Sequence, residues 1–361
     1  MIYLDYQATT PLAPEAKEAM LPWLGGADSD GFGNPHSSHR LGRKAEAAVE
    51  VAREQVAALF PRGGRVVFTG SATEALNLAL RGCEPVRAGK PIAVSAIEHS
   101  AVLNTAKALQ PDCTVLPVDR DGLVDPQAAL PEGLGVLSVM QVNNEIGTIQ
   151  PVAALNERAR AMGALVVCDA VQAAGKMQVA DADLIAITGH KFCGPKGIGA
   201  LWIRDGVELE PIITGGGQEA GIRSGTLSPA LCAGLGAAAR LALESMAEDE
   251  VRVAELFDLG RKLFDGWELN GSATHRYRGN LNIRRKDVDA TRLMSDVRDV
   301  MFSAGSACAS ESRKPSRILA AIGLTPEESR GSIRLGFGRY TTLDEFEKGA
   351  GLILEAARRQ G

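Results

Sequence analysis

The sequence has few aromatic residues, no excess of basic residues and no long uncharged apolar run. Aromatic residues make up 4% of the 361 positions, and 39 basic against 44 acidic residues give a formal charge of −5. Because nucleic acids and anionic membranes require a basic face, neither is expected as the main partner. No window offers the ~18 uncharged apolar residues of a spanning helix, and Met1–Pro11 lacks the basic region of a secretory signal. We therefore expect a soluble, cytoplasmic protein.

Cysteine pairs and nucleotide-binding motifs are absent as well. The six cysteines are scattered without a C-x-x-C pair, at positions 83, 113, 168, 193, 232 and 308. In a chain of this length, that scatter predicts reduced thiols, with neither a disulfide framework nor a metal site. No G-x-x-x-x-G-K-[ST] motif occurs, and no G-x-G-x-x-G motif follows a predicted strand. The 40 glycines instead suggest tight turns where backbone approaches a ligand.

Apolar runs of strand length alternate with helical patterns through the first two thirds of the chain. Because the runs are continuously apolar, they predict a mostly parallel sheet with both faces covered, in an α/β domain. A long helix over Ala230–Phe257 then leads to short strands and helices of a smaller α+β domain. We predict a large domain over residues 15–245 and a small domain formed by residues 1–14 with 246–361. The predicted strands of the large domain are Val66–Phe68, Pro91–Ile97, Cys113–Val118, Gly135–Val142, Leu165–Cys168 and Leu184–Ile187.

Polar residues follow three of these strands, at the sheet edge where open α/β sheets bind ligands. The small and hydroxyl residues of Thr69–Glu74 precede a helix, whose N-terminal N–H groups favour an anion such as phosphate; a plain helix cap is the alternative. Asp169 and Gln172 follow another strand and could bind a ring N–H and a second polar ring atom, or Asp169 could simply cap a helix. Lys191 lies beside a histidine in a glycine-rich turn that suits imine chemistry, although most lysines are solvated surface residues. Together these are the groups that pyridoxal 5′-phosphate requires.

Cys308 differs from the other cysteines in its surroundings. It lies in the small, polar segment Ser303–Ser310, whereas the other five have apolar neighbours or lie at strand edges. A thiol in such a loop is accessible and is suited to act as a nucleophile. A loop residue without a function is the alternative.

Ten motifs, in order along nearly the whole chain, resemble those of the pyridoxal-phosphate-dependent cysteine desulfurases of the aminotransferase class V superfamily. The segment around Cys308 resembles the branch that serves iron–sulfur assembly and nitrogen fixation. The motifs are I-Y-L-D-Y-Q-A-T-T-P (2–11), G-N-P-H-S-S-H-R-L-G-R (33–43), F-T-G-S-A-T-E-A-L-N (68–77), E-H-S (98–100), V-N-N-E-I-G-T-I-Q-P (142–151), D-A-V-Q (169–172), T-G-H-K (188–191), R-S-G-T-L (223–227), S-A-G-S-A-C-A-S (303–310) and R-L-G-F-G-R-Y-T-T (334–342).

The resemblance implies an aminotransferase-like fold of the type I class and a role for each matching residue. Lys191 would hold the cofactor as an imine, His99 would stack on its ring and transfer protons, and Cys308 would accept the sulfur. Arg334 would bind the substrate carboxylate with help from Asn34. The other expected cofactor contacts are Asp169 to the pyridine nitrogen, Gln172 to the ring hydroxyl, Asn144 to the ring or substrate, Ala72, Thr73, Thr188 and His190 to the phosphate, and Thr226 to the phosphate of the neighbouring subunit of a homodimer.

The implied activity is conversion of L-cysteine to L-alanine, with a persulfide left on Cys308. A protein sulfur acceptor, either an iron–sulfur scaffold or a tRNA-thiolation protein, would then receive the sulfur. An aminotransferase or a selenocysteine lyase would share Lys191 and Asp169, so both remain alternatives. A regulatory or scaffold subunit without activity is disfavoured because Lys191, Asp169, His99, Arg334 and Cys308 occur together.

Overall fold

The computed structural model describes residues 1–305 and 316–360. Its strands are β1 (Ile2–Tyr3), β2 (Gly64–Thr69), β3 (Ile92–Ser95), β4 (Thr114–Leu116), β5 (Val136–Ser138), β6 (Leu165–Asp169), β7 (Leu184–Thr188), β8 (Gly199–Arg204), β9 (Glu268–Leu269), β10 (Asn280–Arg284), β11 (Val300–Met301), β12 (Ser303–Ala304) and β13 (Ser332–Gly336). Its helices are α1 (Pro14–Met20), α2 (Arg40–Ala57), α3 (Ala72–Gly82), α4 (Glu84–Arg87), α5 (Ser100–Leu109), α6 (Val152–Ala161), α7 (Pro229–Leu263), α8 (Ala290–Asp296), α9 (Arg317–Ala321), α10 (Pro326–Arg330) and α11 (Leu343–Arg358).

The larger sheet has seven strands in the order β2-β8-β7-β6-β5-β3-β4. Strands β3 to β7 pair in parallel, whereas β8 runs antiparallel to both of its neighbours, β2 and β7. The predicted α/β fold with a mostly parallel sheet is therefore confirmed. Strand β8 was absent from the predicted strands and corrects that list.

Strands β2 and β7 are buried on both faces, which explains their apolar sequences. Val66 and Phe68 pack into one buried cluster, and Val67, between them, packs into the cluster on the opposite face. Ile185 and Ile187 alternate in the same way with Leu184 and Ala186 across β7. Successive side chains of a strand point to opposite faces. When both faces are covered, all positions are buried and the sequence shows no alternation of apolar and polar residues.

Helix α7 is the long helix expected from the sequence, and it is 35 residues long. It begins where Ser228 accepts a hydrogen bond from Leu231 N and where Pro229 occupies the first turn. It is also the one helix of the described chain that is long and apolar enough to meet a membrane-span criterion, and half of its apolar stretch is buried within the fold. Residue 245 lies inside this helix, so the helix continues across the predicted domain boundary.

A second sheet, in the order β12-β13-β10-β9, is antiparallel. Two short strands follow each other closely here: β11 pairs in parallel with β1, and β12 pairs with β13. The first pairing joins residues 2–3 to residues 300–301, and an isolated bridge joins Asp5 to Gly336. The N-terminal segment thus contacts the C-terminal third of the chain, while the division into two domains stays a prediction.

Candidate active site

Lys191 ends a short 3-10 turn that directly follows β7. Its Nζ donates to the carbonyl oxygens of Gln7 (2.5 Å) and Ala8 (2.9 Å), so the N-terminal segment holds the amine. The turn is compact because Gly189 closely approaches the backbone of Pro195, where a Cβ atom would lie 2.8 Å from the carbonyl oxygen. The glycines around Lys191 therefore allow the backbone to place the lysine at the sheet edge.

Asp169 lies at the end of β6, the strand that pairs with β7, and its register partner is Ala186. The side chain is 4% exposed, and Oδ1 accepts a hydrogen bond from Val171 N at 3.0 Å. Burial raises the pKa of Asp169, while the nearby His99, the Val171 N–H and Lys191 act in the opposite direction. A pyridine ring N–H would supply the cationic partner that a buried carboxylate requires, so this residue fits the expected cofactor.

His99 lies at the N-terminus of α5, where its Nδ1 accepts a hydrogen bond from Ala101 N at 3.1 Å. In a neutral ring with that bond, the proton is on Nε2, which can then donate to another group. The preceding Glu98 is fully buried, and its Oε1 accepts from Ser95 Oγ (2.5 Å) and Met140 N (2.7 Å). Burial raises the pKa of Glu98 to about 8. A carboxyl that is neutral at neutral pH thus supports the His99 turn.

The first turn of α3 forms the candidate phosphate site. Ser71 Oγ accepts from Glu74 N at 3.2 Å, and the amides of Ala72 and Thr73 precede Ala75 N, the first amide that donates along the helix, to the Ser71 carbonyl. Glu74 is held by Gly70 N (2.7 Å) and by an ion pair with Arg223, also at 2.7 Å. The free amides and the positive end of the helix dipole suit a phosphate group.

Gly199 brings the two candidate phosphate-binding segments together. It pairs with Thr69 on one side and with Thr188 on the other, and a Cβ atom there would lie 2.7 Å from the Ser71 carbonyl carbon. Thr188 Oγ1 donates to Ile198 O at 2.9 Å, and its lone pairs can still accept. The unpredicted strand β8 therefore brings the Thr188 and Ala72 segments close together.

The structure does not link three of the predicted cofactor or substrate contacts to this cluster. The ring of His190 contacts Thr9 Oγ1 at 3.2 Å, and burial and the neighbouring lysines lower the pKa of His190 to about 4. Asn34 is exposed and its Oδ1 accepts from His36 N, while Thr226 is exposed in a loop. The roles of His190, Asn34 and Thr226 stay predictions.

Arg334 is fully buried in the middle of β13. One terminal nitrogen contacts Asp5 Oδ1 (2.6 Å) and Ser303 Oγ (3.1 Å), and the other donates to the carbonyl of Asn144 at 3.0 Å. Its Nε is buried without an acceptor in the described part of the chain. A substrate carboxylate would satisfy this N–H group, which agrees with the predicted clamp.

Gln172 is connected to residues that the sequence did not indicate as part of the site. Its Nε2 donates to the carbonyl of Gln7, and its Oε1 accepts from Lys176 Nζ, both at 3.0 Å. Glu98, Asp5 and Gln7 lie within quoted motifs, and Lys176 lies four residues after the D-A-V-Q motif. Their charge or polarity close to matched residues could have indicated that they belong to the site. Only the three-dimensional contacts show which groups they bind.

Cys308 lies outside the described residues, so its predicted position is not addressed. The flanking residues lie at the site: Ser303 is the register partner of Arg334, and Ser316 Oγ donates to Glu145 Oε2 at 2.5 Å. Arg317 donates to the carbonyls of Ala96 and Glu98, directly before His99. The other five cysteines are free and buried, as expected of packing residues.

Comparisons with known proteins identify the family and the fold of the chain. The aminotransferase class-V family model matches residues 2–348. A cysteine desulfurase IscS from Shewanella sp. (strain MR-4) is 43% identical over 366 residues, which cover 96% of this chain and 90% of that protein. The solved structure of a NifS-like protein superposes with a TM-score of 0.88 at 29% identity, with 99% of both chains covered. SspA in complex with cysteine gives a TM-score of 0.81 at 33% identity, over 95% of this chain and 100% of that one.

Proposed function

The chain belongs to the aminotransferase class V family, in which it is a cysteine desulfurase, and from this membership we propose that it converts L-cysteine to L-alanine and transfers the sulfur to Cys308 as a persulfide. The observation that carries the assignment of residues is the placement of Lys191 and Asp169 at the same ends of two paired parallel strands. The pair resembles the lysine and carboxylate that members of the family use with pyridoxal 5′-phosphate.

The residues of this site fit pyridoxal 5′-phosphate in three separate places. Asp169 offers a buried carboxylate to a pyridine N–H, and the first amides of α3 offer donors to the phosphate. Gln172 has a second Nε2 hydrogen that can reach the ring oxygen while the first is bonded to the Gln7 carbonyl. When bound, the cofactor supplies an electron sink for the substrate Cα.

Arg334 and Lys191 would position and deprotonate the substrate. The buried Nε of Arg334 would bind the carboxylate of cysteine. The contact of a terminal guanidinium nitrogen with Asp5 limits rotation of the guanidinium group. Lys191 Nζ, held near the Gln7 and Ala8 carbonyls, would remove the proton from Cα. His99, whose Nδ1 is engaged by Ala101 N, would donate or accept protons through Nε2.

Sulfur transfer requires a thiolate, which Cys308 would supply. Its sulfur would attack the sulfur of the substrate, so that the Cβ–S bond of cysteine breaks and a sulfur–sulfur bond to Cys308 forms. The electron pair of the broken Cβ–S bond stays with the carbon fragment, and a proton delivered to Cβ together with a proton returned to Cα completes alanine. The five buried cysteines are poorer candidates because burial raises the pKa of the Cys83, Cys113, Cys168, Cys193 and Cys232 thiols.

The test is a product balance with the purified protein, added pyridoxal 5′-phosphate, L-cysteine and a reducing thiol. We expect one alanine for each sulfide, with no consumption of a keto acid. Transamination would instead consume a keto acid, and a selenocysteine lyase would turn over selenocysteine but not cysteine. A Lys191→Ala variant that remains folded serves as the inactive control.

The partners and the location of the protein belong to the same proposal. Homodimer formation is supported by the exposure of Thr226, the residue expected to reach the phosphate of the neighbouring subunit. A dimer mass in light scattering, together with weaker cofactor binding in Thr226→Ala, would support this role. The persulfide would pass to a cytoplasmic sulfur acceptor, either an iron–sulfur scaffold or a tRNA-thiolation protein. Capture of such a protein on the native enzyme, lost in Cys308→Ser, would identify it.

A further inference from the structure

A cavity of about 320 Å³ lies on one side of the Lys191 turn. Its wall includes Lys191 and Cys193 from that turn, Lys176 from the segment after Gln172, and Tyr277. Asp169 and the first turn of α3 are not part of this wall, so the cavity meets the candidate cofactor site at Lys191 and extends away from the other expected contacts. Lys176 is a half-buried lysine at the border between the two regions.

The Lys176 amine is linked to the site through one amide. Lys176 Nζ donates to Gln172 Oε1, and Gln172 Nε2 donates to the Gln7 carbonyl, which also accepts from Lys191 Nζ. A lysine ammonium only donates and a carbonyl oxygen only accepts, so both contacts are satisfied in a single orientation of the amide. In that orientation the NH2 group of Gln172 faces the Gln7 carbonyl and the lysine.

The electrostatic surroundings of Lys176 favour this contact over an ion pair. Its Nζ lies 5.3 Å from the centre of the ring of Tyr277, and the other titratable groups that interact with it are Lys191, Cys193 and His190. Burial and Lys191 lower the pKa of Lys176 to about 7. Within residues 1–305 and 316–360, the contact with Gln172 is the only hydrogen bond of the Lys176 amine.

We propose that Lys176 is a positioning residue that fixes the Gln172 amide, so that its NH2 group faces the cofactor ring oxygen, and that polarises this amide as a donor. The inference rests on the proposed function, because it assigns Gln172 to the ring. Loss of Lys176 leaves Gln172 Oε1 without a donor and weakens the N–H that would bind the ring oxygen. In its protonated form Lys176 is a cation close to the site, so its loss also favours the protonated form of the bound cofactor.

The test compares Lys176→Met and Lys176→Arg with a control, Lys196→Met. The control removes an exposed lysine from the glycine-rich turn that follows Lys191. The readouts are the pH midpoint of the visible absorbance of bound pyridoxal 5′-phosphate and its dissociation constant. In Lys176→Met we expect the midpoint to move to higher pH and the dissociation constant to rise roughly threefold to tenfold, as for one weakened hydrogen bond. The arginine and Lys196→Met variants should stay within about twofold of wild type, because each keeps a donor beside Gln172.

A Gln172→Leu background shows whether Lys176 acts through the amide. There, adding Lys176→Met should change neither the midpoint nor the dissociation constant further. A wild-type midpoint in Lys176→Met, or an undiminished effect in the Gln172→Leu background, would overturn the inference. A wild-type protein that binds no pyridoxal phosphate would instead contradict the proposed function.

Discussion

Arg334 and Asp5 form an ion pair with a separation of 2.6 Å between the guanidinium and Oδ1 of the carboxylate. The guanidinium is fully buried and the carboxylate side chain is 19% exposed. Ser303 Oγ contacts both partners, at 2.9 Å from Asp5 Oδ1 and 3.1 Å from the guanidinium. The pair joins the N-terminal segment to β13, so the arginine proposed to bind the substrate carboxylate also holds these two segments together.

Replacement of Arg334 by Ala should raise KM for cysteine much more than it weakens cofactor binding. Removal of one partner of a buried ion pair costs about 3–5 kcal/mol, which corresponds to an increase in KM of about a hundredfold or more. Steady-state kinetics and a cofactor titration measure the two effects. A change in KM below about threefold would place the carboxylate clamp elsewhere.

Asp5→Asn is the matched control for the Arg334 prediction. It removes the charge that pairs with the guanidinium but leaves the guanidinium in place. We expect a lower unfolding temperature with a smaller rise in KM than in Arg334→Ala. Arg339, the next arginine along the chain, makes three hydrogen bonds of 2.6–3.2 Å to Asp249 and is already engaged.

Most of the fold could be predicted because its strands are apolar on both faces and its turns carry glycines. Helix α7 differs from the predicted helix Ala230–Phe257 only at its ends. Strand β8 and helix α2 were missed. Strand β8 follows the lysine turn without an intervening helix, so the strand–helix alternation gives no signal for it. Helix α2 contains mixed charges and alanines, and its core stripe is formed mainly by small residues such as Ala45 and Ala52.

The strand-end groups could be predicted in the same way, whereas the partners that orient them could not. Asp169 and Lys191 follow apolar runs that end at one sheet edge. The contacts of Asp5 with Arg334 and of Gln7 with Lys191 span 329 and 184 residues. Nothing in local spacing encodes contacts across such separations, because they depend on how the N-terminal segment crosses the completed fold.

Lys191→Ala should abolish turnover while the protein still folds. The side chain is half-buried and contributes no large apolar area, so its truncation should cost little stability. Borohydride treatment of the wild type with bound cofactor should leave a reduced adduct on one peptide, which peptide mass spectrometry locates. An adduct on Lys176 or Lys196 would show that another lysine forms the imine.

Glu98 should make wild-type stability depend on pH in a way that Glu98→Gln does not. Its folded pKa, about 8, lies above the ordinary value of 4.5, so between these values the native state holds a proton that the unfolded state has released. The free energy of unfolding then falls as pH rises, by up to about 1.4 kcal/mol per unit. Glutamine keeps an oxygen that can accept from Ser95 and Met140 but does not titrate.

The measurement for Glu98 is chemical unfolding of both proteins from about pH 6 to about pH 8. As pH rises, the free energy of unfolding of Glu98→Gln should increase progressively relative to that of the wild type. Because the remaining groups titrate in both proteins, their contributions largely cancel in the difference. Parallel stability curves would mean that Glu98 is ionised throughout and that its contacts with Ser95 and Met140 outweigh burial.

Cys308→Ser should bind cysteine but release neither alanine nor sulfide at a useful rate. Binding requires Arg334, Lys191 and the cofactor contacts, all of which remain, so cysteine should still change the absorbance of the bound cofactor. Serine cannot replace the thiol because its hydroxyl is scarcely ionised near neutral pH and forms no persulfide. Absorbance and product assays on the same sample separate binding from sulfur transfer.

Cys113→Ser is the control for a general effect of cysteine loss, because Cys113 is a buried packing residue next to β4. It should keep wild-type turnover with at most a modest loss of stability. The described residues on either side of Cys308 contact the candidate site, Ser303 at Arg334 and Arg317 at the turn before His99. If the Cys308→Ser enzyme produced alanine and sulfide at the wild-type rate, sulfur would leave the substrate without capture by this thiol. In that case a persulfide on Cys308 could not be the form in which sulfur reaches an acceptor.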